Sequence, residues 1–191
     1  MTAWKALVPA ARIVLAVAFL TTAGLMWSLL PTKVQSWAPI DVHGTIGQRI
    51  TGRDIAVTVH SSYLAHEVTA KGTDGLNRFV SKGVWLVMVT SYEPLLRPEA
   101  PRFQLRADGK TFSTNLSAFG NHVVEPEEPS RGPLAFELPT IPHGATLLVS
   151  NKIVDNDYQE TDALLDSRLA ITIPVSGGAP LPSLNLDELN R

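Results

Sequence analysis

The densest set of potential metal ligands in this sequence is Asp155-Asn156-Asp157-Tyr158-Gln159-Glu160-Thr161-Asp162, with Asp166 just beyond it. Oxygen-bearing side chains at the alternate positions 155, 157 and 159, and an acid at Asp166 in the twelfth place, follow the plan of a calcium loop. Two departures weaken the match. The sixth place, where such a loop turns sharply on glycine, is Glu160, and the twelfth is Asp in place of a bidentate Glu. Asp155, Asp157, Asp162 and Asp166 are therefore weak metal candidates, and a solvated edge loop is the stronger reading. The five histidines (43, 60, 66, 122 and 143) fall at no metal-binding spacing, and His60 meets His66 only if the chain bends between them. Ser117 and His122 are close in sequence, but no GxSxG elbow accompanies them to expose a nucleophile. Glu125, Glu127 and Glu128 sit in a proline-rich loop without an evident second wall for paired-carboxylate chemistry. With no cysteine in the chain, thiol catalysis and thiolate-held metals are excluded. No catalytic residue and no cofactor site is assigned.

The elements that position these residues begin with a helix. Ile13 to Leu30 (IVLAVAFLTTAGLMWSLL) is an unbroken run of apolar and small residues. About 18 residues at 1.5 Å each span roughly 27 Å, close to the hydrocarbon thickness of a bilayer. Trp4 and Trp27 lie near its ends, where amphipathic rings favour the headgroup level, and Pro31 ends it. Lys5 and Arg12 are the only charged residues before Pro31, so the positive-inside bias places the amino terminus in the cytoplasm. A cleaved signal peptide fits the same pattern, with Thr21-Thr22-Ala23 a passable site. The apolar residues beyond that site favour an uncleaved anchor. Small residues at Ala18, Thr22, Gly24 and Ser28 would let a partner helix approach.

After the anchor, the chain holds the rest of the 16 basic residues and all 18 acidic ones. That mildly acidic balance lacks the basic patch of a nucleic-acid binder. A linker over 31–45 leads to a region, 46–175, in which the apolar period changes to two. Ile46 and Ile50 open a short strand. Ile55, Val57 and Val59 then alternate with Ala56, Thr58 and His60, and strand character continues towards Val68. Residues 71–78 read as a loop. Val84–Thr90 is apolar at nearly every position, as in a central strand buried on both faces. Asp108-Gly109 between Phe103–Arg106 and Lys110–Thr114 is a two-residue hairpin signal. Leu134, Phe136 and Leu138, then Leu147–Ser150, then Leu169, Ile171 and Ile173 complete about eight short strands separated by turns. This pattern predicts an all-β antiparallel sandwich. Its expected core is Ile55, Val57, Val59, Trp85, Val87, Val89, Phe103, Leu105, Phe136, Leu138, Leu147, Val149, Ile171 and Ile173. The tail 176–191 reads as a flexible linker ending in Leu181, Leu184, Leu186 and Leu189, exposed unless a partner covers them.

The order GRDIAVTV, KGVWLVMVTSYEP, PRFQLRADGKTF, GPLAFELP and ATLLVSN resembles the DUF4352-type immunoglobulin-like (telokin-like) extracellular domains of Gram-positive and actinobacterial membrane proteins. The likeness covers roughly residues 44–175 and lies in structural motifs: a central strand at Trp85–Thr90, a hairpin at Phe103–Phe112 and a strand at Gly132–Pro139. Ser91-Tyr92 replaces the Asn common after the central strand. The resemblance implies an immunoglobulin-like fold and no catalytic residue.

The expectation is a single-pass cell-membrane protein with a non-enzymatic extracytoplasmic domain, an interaction module or accessory subunit of a cell-envelope complex. Its partners would be other membrane or envelope proteins and the lipid bilayer, not nucleic acid, with Gly24, Ser28, Leu181, Leu184, Leu186 and Leu189 as candidate contacts. Trp4, Arg12 and Trp27 would mark the membrane interface. The alternatives are an envelope enzyme of another type, or a sensor of calcium or a small ligand.

Overall fold

The structure, a computed structural model, describes residues 3–30, 38–72, 75–120, 123–126, 128–151, 153–154, 160–161, 166–175 and 178–190, with side chains described from residue 12 and omitted over 152–165 and at 190. The chain divides into two compact units, residues 1–38 and 39–191.

The first unit is one helix, α1 (Ala3–Ser28), which starts ten residues before the expected anchor. Leu29 and Leu30 close it, their amides donating to Leu25 O and Trp27 O, both at 3.2 Å. The helical residues from Arg12 onward are exposed, Phe19 and Trp27 at 76% and 78%. Hydroxyls at Thr21, Thr22 and Ser28 donate back to carbonyls of the preceding turn, at 2.9, 2.7 and 2.8 Å. Among the described residues no helix is long and apolar enough to cross a membrane.

The second unit is a β-sandwich. The alternating apolar residues read from the sequence do form strands, and two sheets arise because each strand has one face to bury. The first sheet runs β1 (Ile40–Thr45), β12 (Ser167–Ile173), β9 (Ala145–Asn151), β5 (Pro101–Ala107), β6 (Lys110–Ser113), with β1 parallel to β12 and the rest antiparallel. The second runs β13 (Leu184–Asn185), β3 (Ile55–Gly72), β4 (Gly75–Pro94), β8 (Ser130–Leu138), β7 (Leu116–Ser117), with β2 (Arg49–Thr51) also on β3. A separate two-stranded ribbon joins β10 (Ile153–Val154) and β11 (Glu160–Thr161). The Asp-Gly signal holds: Asp108 and Gly109 take φ of 47° and 75°, the two positive values that a tight hairpin turn requires.

Between the sheets lie Ile55, Val57, Val59, Leu86, Met88, Leu105, Phe136, Leu147, Val149, Leu169 and Ile171. Tyr92 spans the sandwich, its hydroxyl donating to Asn151 Oδ1 at 3.0 Å while its ring packs edge-on against Phe103 and Phe119. Burial, and then nearby Glu99, push its phenol well above the usual range. All fourteen residues expected in the core are buried, but they do not share one core. Leu86 and Met88 point between the sheets, whereas Trp85 and Val87 face outward into a second cluster with Ala65, Val68, Ala135 and Leu186.

Two further differences come from β3 and β4. The expected loop at 71–78 is instead the end of one long hairpin, paired to Gly72 with Gly75. The tail also folds back. Leu184 and Asn185 pair in parallel with Val68 and Thr69, and a 3₁₀ turn (Leu186–Asn190) follows. Leu186 is 5% exposed, Leu184 and Leu189 pack beside it, and Leu181 remains 42% exposed. The physical reason is the outward row of Trp85, Val87 and Ala65, an apolar sheet face that needs a cover. The chain's own tail supplies one.

Candidate functional site

The outward face of the second sheet has a second half, and it is polar. Strand register sets Arg49 opposite Thr58, Thr58 opposite Ser91 and Ser91 opposite Arg131, so one line of side chains crosses β2, β3, β4 and β8 on one face. Their neighbours Ile50, Val57, Tyr92 and Leu134 are buried between the sheets, which turns this line outward. His60 is the extra residue of a β-bulge between Val59 and Ser61. The bulge lets its ring reach the line, where Nε2 and Ser91 Oγ lie 2.8 Å apart, hydrogen-bonded.

Charge at the site is uneven. Arg49 pairs with Glu93 at 2.8 Å and donates to Thr51 Oγ1 at 3.0 Å. Arg131 is exposed and has no ion-pair partner among the described residues. The His60 pKa is lowered, first by partial burial and then by the positive charge of Arg131, both of which disfavour the protonated ring. A serine beside a neutral histidine is half of a nucleophile–base pair. The third group argues against that use. In acyl transfer the base becomes an imidazolium that a carboxylate stabilises, whereas here Arg131 opposes the same charge. What the arrangement does favour is an anion beside Arg131, with hydroxyl and imidazole donors in reach.

The residues singled out in the sequence lie elsewhere. Asp166 is 8% exposed, its Oδ1 accepts from the Ser167 amide at 2.7 Å, and Arg53 Nε sits 3.6 Å away. That carboxylate therefore caps β12 and shares Arg53 with buried Asp54 (3.2 Å). Asp155, Asp157 and Asp162 lie outside the described residues, as do Glu127 and His122. Among the described residues no group of three or more His, Asp or Glu is arranged to hold a metal. Ser117 Oγ accepts from the Phe119 amide at 3.1 Å, and it lines a polar groove of about 500 Å³ with Gln104, Ser113, Thr114 and Asn115. His66 lies at a second irregularity of the pairing, opposite 81–84 of β4, its amide donating to Leu181 O at 2.9 Å, and the described contacts do not join it to His60. Gly24, Ser28, Arg12 and Trp27 are all exposed on α1, where a Cβ at Gly24 would meet nothing. Trp4 lies where side chains are not described.

Sequence reasoning missed the Arg49–Thr58–Ser91–Arg131 line. One signal was present: Thr58 and His60 alternate away from the apolar residues of their strand. Ser91 and Arg131 come from strands 31 and more residues away, and only the register brings them alongside.

No family model matches the chain, and no curated protein matches it. Among solved structures it is similar to an uncharacterized beta-sandwich protein from Clostridium difficile 630, at 12% identity over 75% of this chain and 99% of that one, with a TM-score of 0.41.

Proposed function

We propose that this chain is a single-pass cell-membrane protein whose sandwich is an extracytoplasmic, non-enzymatic interaction module of a cell-envelope complex. The observation that carries the reading is the helical unit, which exposes apolar side chains from Ile13 to Leu30. The hydroxyls on that helix return to its own carbonyls, as a low-dielectric surrounding demands. The helical residues 12–28 measure about 25 Å, and Leu29 and Leu30 add a further turn; spans of about 17 residues lie at the short end of what bilayers accept. The described helix alone is not long and apolar enough to cross a membrane, so the proposal takes the span as 13–30, with Leu29 and Leu30 included.

The domain is read as immunoglobulin-like and DUF4352-related. Its strands β4, β8 and β7 form one sheet and β12, β9, β5 and β6 the other, with β1 running parallel to β12, and the chain crosses between sheets at β4–β5, β6–β7 and β8–β9. An interaction role is supported by the β3–β4 hairpin. It continues beyond β8, so that Leu76–Lys82 has no neighbour on that side among the described residues and leaves Leu76 and Val80 at 64% and 67% exposure.

The chain has no cysteine, so single cysteines report topology cleanly. In intact cells a membrane-impermeant maleimide is expected to label Ser113→Cys, and to label Thr2→Cys only after lysis. Equal labelling of both, release of the protein by alkaline carbonate, or loss of about two dozen amino-terminal residues from its mass would each overturn the anchor. Purification in mild detergent is expected to retain a stoichiometric membrane partner; a monomer would overturn the assembly.

A further inference from the structure

We propose that the polar half of the second sheet's outer face, centred on Arg131, Ser91 and His60, is a binding site for a phosphate group. The inference stands apart from the membrane reading, because it rests on the register of four strands within the domain. The line Arg49–Thr58–Ser91–Arg131 is about 14 Å long at some 4.8 Å between neighbouring strands, and it is built on paired backbone rather than on loops.

Charge accounting chooses an anion. The charged and titratable groups facing the site are Arg49 on β2, His60 on β3, Glu93 on β4 and Arg131 on β8. Glu93 is taken by Arg49 at 2.8 Å, which leaves the Arg131 charge uncompensated among the described residues. Its planar fork suits an oxyanion better than a point charge does. The chemistry of the donors chooses phosphate. A tetrahedral group offers several oxygens in different directions, and here the Arg131 guanidinium on β8 stands beside the hydrogen-bonded Ser91–His60 pair of β4 and β3, which keeps one N–H or O–H for an anion while the ring is neutral and two once it is protonated. The Ser91 hydroxyl, already 2.8 Å from Nε2, links the arginine side to the histidine side.

One consequence separates binding from mere surface charge. An anion beside Arg131 removes the repulsion that helps keep His60 neutral, so phosphate and a proton on His60 favour each other, reciprocally. The test uses the full chain in a phosphate-free, non-ionic detergent at constant ionic strength. Inorganic phosphate represents the free ion, and dimethyl phosphate the diester of a headgroup or polymer. The His60 ring resonance, assigned with His60→Gln, is titrated with each probe and with chloride. The expected result is an upward shift of the His60 titration with one or both phosphate probes and none with chloride. Arg131→Gln should abolish the shift and weaken phosphate binding about tenfold, the size of one charge-assisted contact. Arg131→Lys should keep part of the effect, and an unchanged melting temperature in both variants shows that the fold is intact. A His60 titration that phosphate leaves where chloride does, or a shift that survives in Arg131→Gln, overturns the proposal.

Discussion

The two halves of the second sheet's outer face are made from the same strands and have opposite fates. Towards the hairpin end, Ala65, Val68, Trp85, Val87 and Ala135 are covered by the tail through Leu184, Leu186 and Leu189. Towards the other end, Arg49, Thr58, Ser91 and Arg131 stand in the open or half-open, with His60 over them. The tail stops where the apolar rows stop. The difference teaches that sheet geometry provides a surface at every position, and side-chain chemistry alone decides which part is packed and which part stays available. Covering the polar half with leucines would strip water from two arginines and two hydroxyls without replacing those contacts. Leaving the apolar half bare would expose a patch of the kind that soluble surfaces avoid.

That contrast breaks most visibly on the covered side. Trp85→Ala removes the largest side chain of the cluster, along with the bond from its indole Nε1 to Phe79 O at 3.1 Å. It should cost about 3–5 kcal/mol in chemical denaturation. Leu186→Ala, which leaves a cavity under the tail, should cost about 2–3 kcal/mol, and half-buried Leu189 should cost less in the same assay. Thr90 lies one residue from the polar line but points between the sheets, 0% exposed, and its hydroxyl finds no partner among the described residues. Thr90→Val should therefore raise stability, by about 1 kcal/mol, because it removes an unsatisfied buried group at constant shape.

The two halves also answer acid separately. On the polar side, the folded state holds His60 below its ordinary 6.5. The unfolded chain takes up that proton first, so stability falls as pH drops from about 6.5 towards the folded value, and His60→Gln removes this part of the slope. On the tail side, the Glu67 pKa is lowered, first by its bond with Arg78 and further by the Ser183 hydroxyl, despite some opposing burial. Its contribution is present above about 4.5 and is lost as pH falls through the folded value; Glu67→Gln flattens the curve there and leaves the histidine window intact. Urea melts at stepped pH distinguish the two. The smallest effects belong to the polar line itself. Ser91→Ala and Arg131→Gln should each move stability by no more than about 0.5 kcal/mol, as surface substitutions do.

Much of the sandwich was legible because its signals are local. Alternation at Ile55–Val59, the Asp108-Gly109 turn and the apolar run at Val84–Thr90 each report on a few neighbouring residues, and each appears in the structure as read. The division of Trp85 from Leu86 into separate clusters was not legible, since an apolar run shows that both faces are buried and not what buries them. The return of the tail was missed for a related reason. Leu184 and Leu186 are covered by residues more than a hundred positions earlier, such as Val68. The phosphate-site candidates were missed because none of them is unusual alone, and a row is a property of register.

Strict alternation also failed inside β3, where His60 is one residue in excess of β4 and, further on, His66 alone stands opposite 81–84 of β4. Before His60 the odd-numbered residues Ile55, Val57 and Val59 face the core; after it Leu64 does, and Tyr63 and Ala65 join the tail side until His66 restores the even-numbered Val68 to that side. The pair works as two phase slips of opposite effect, with five residues held inverted between them. A chain lacking His60 alone would pair Val59 and Ser61 with Thr90 and Val89 in plain alternation, keeping Tyr63 and Ala65 outward and Leu64 inward but losing the imidazole that the bulge sets beside Ser91. Removing His66 as well would not mend the second irregularity, because the unmatched residues there, 81–84, belong to β4. The first bulge therefore marks the border between the halves: before it β3 turns polar Thr58 outward, and after it Tyr63 and Ala65, which join the cluster under the tail.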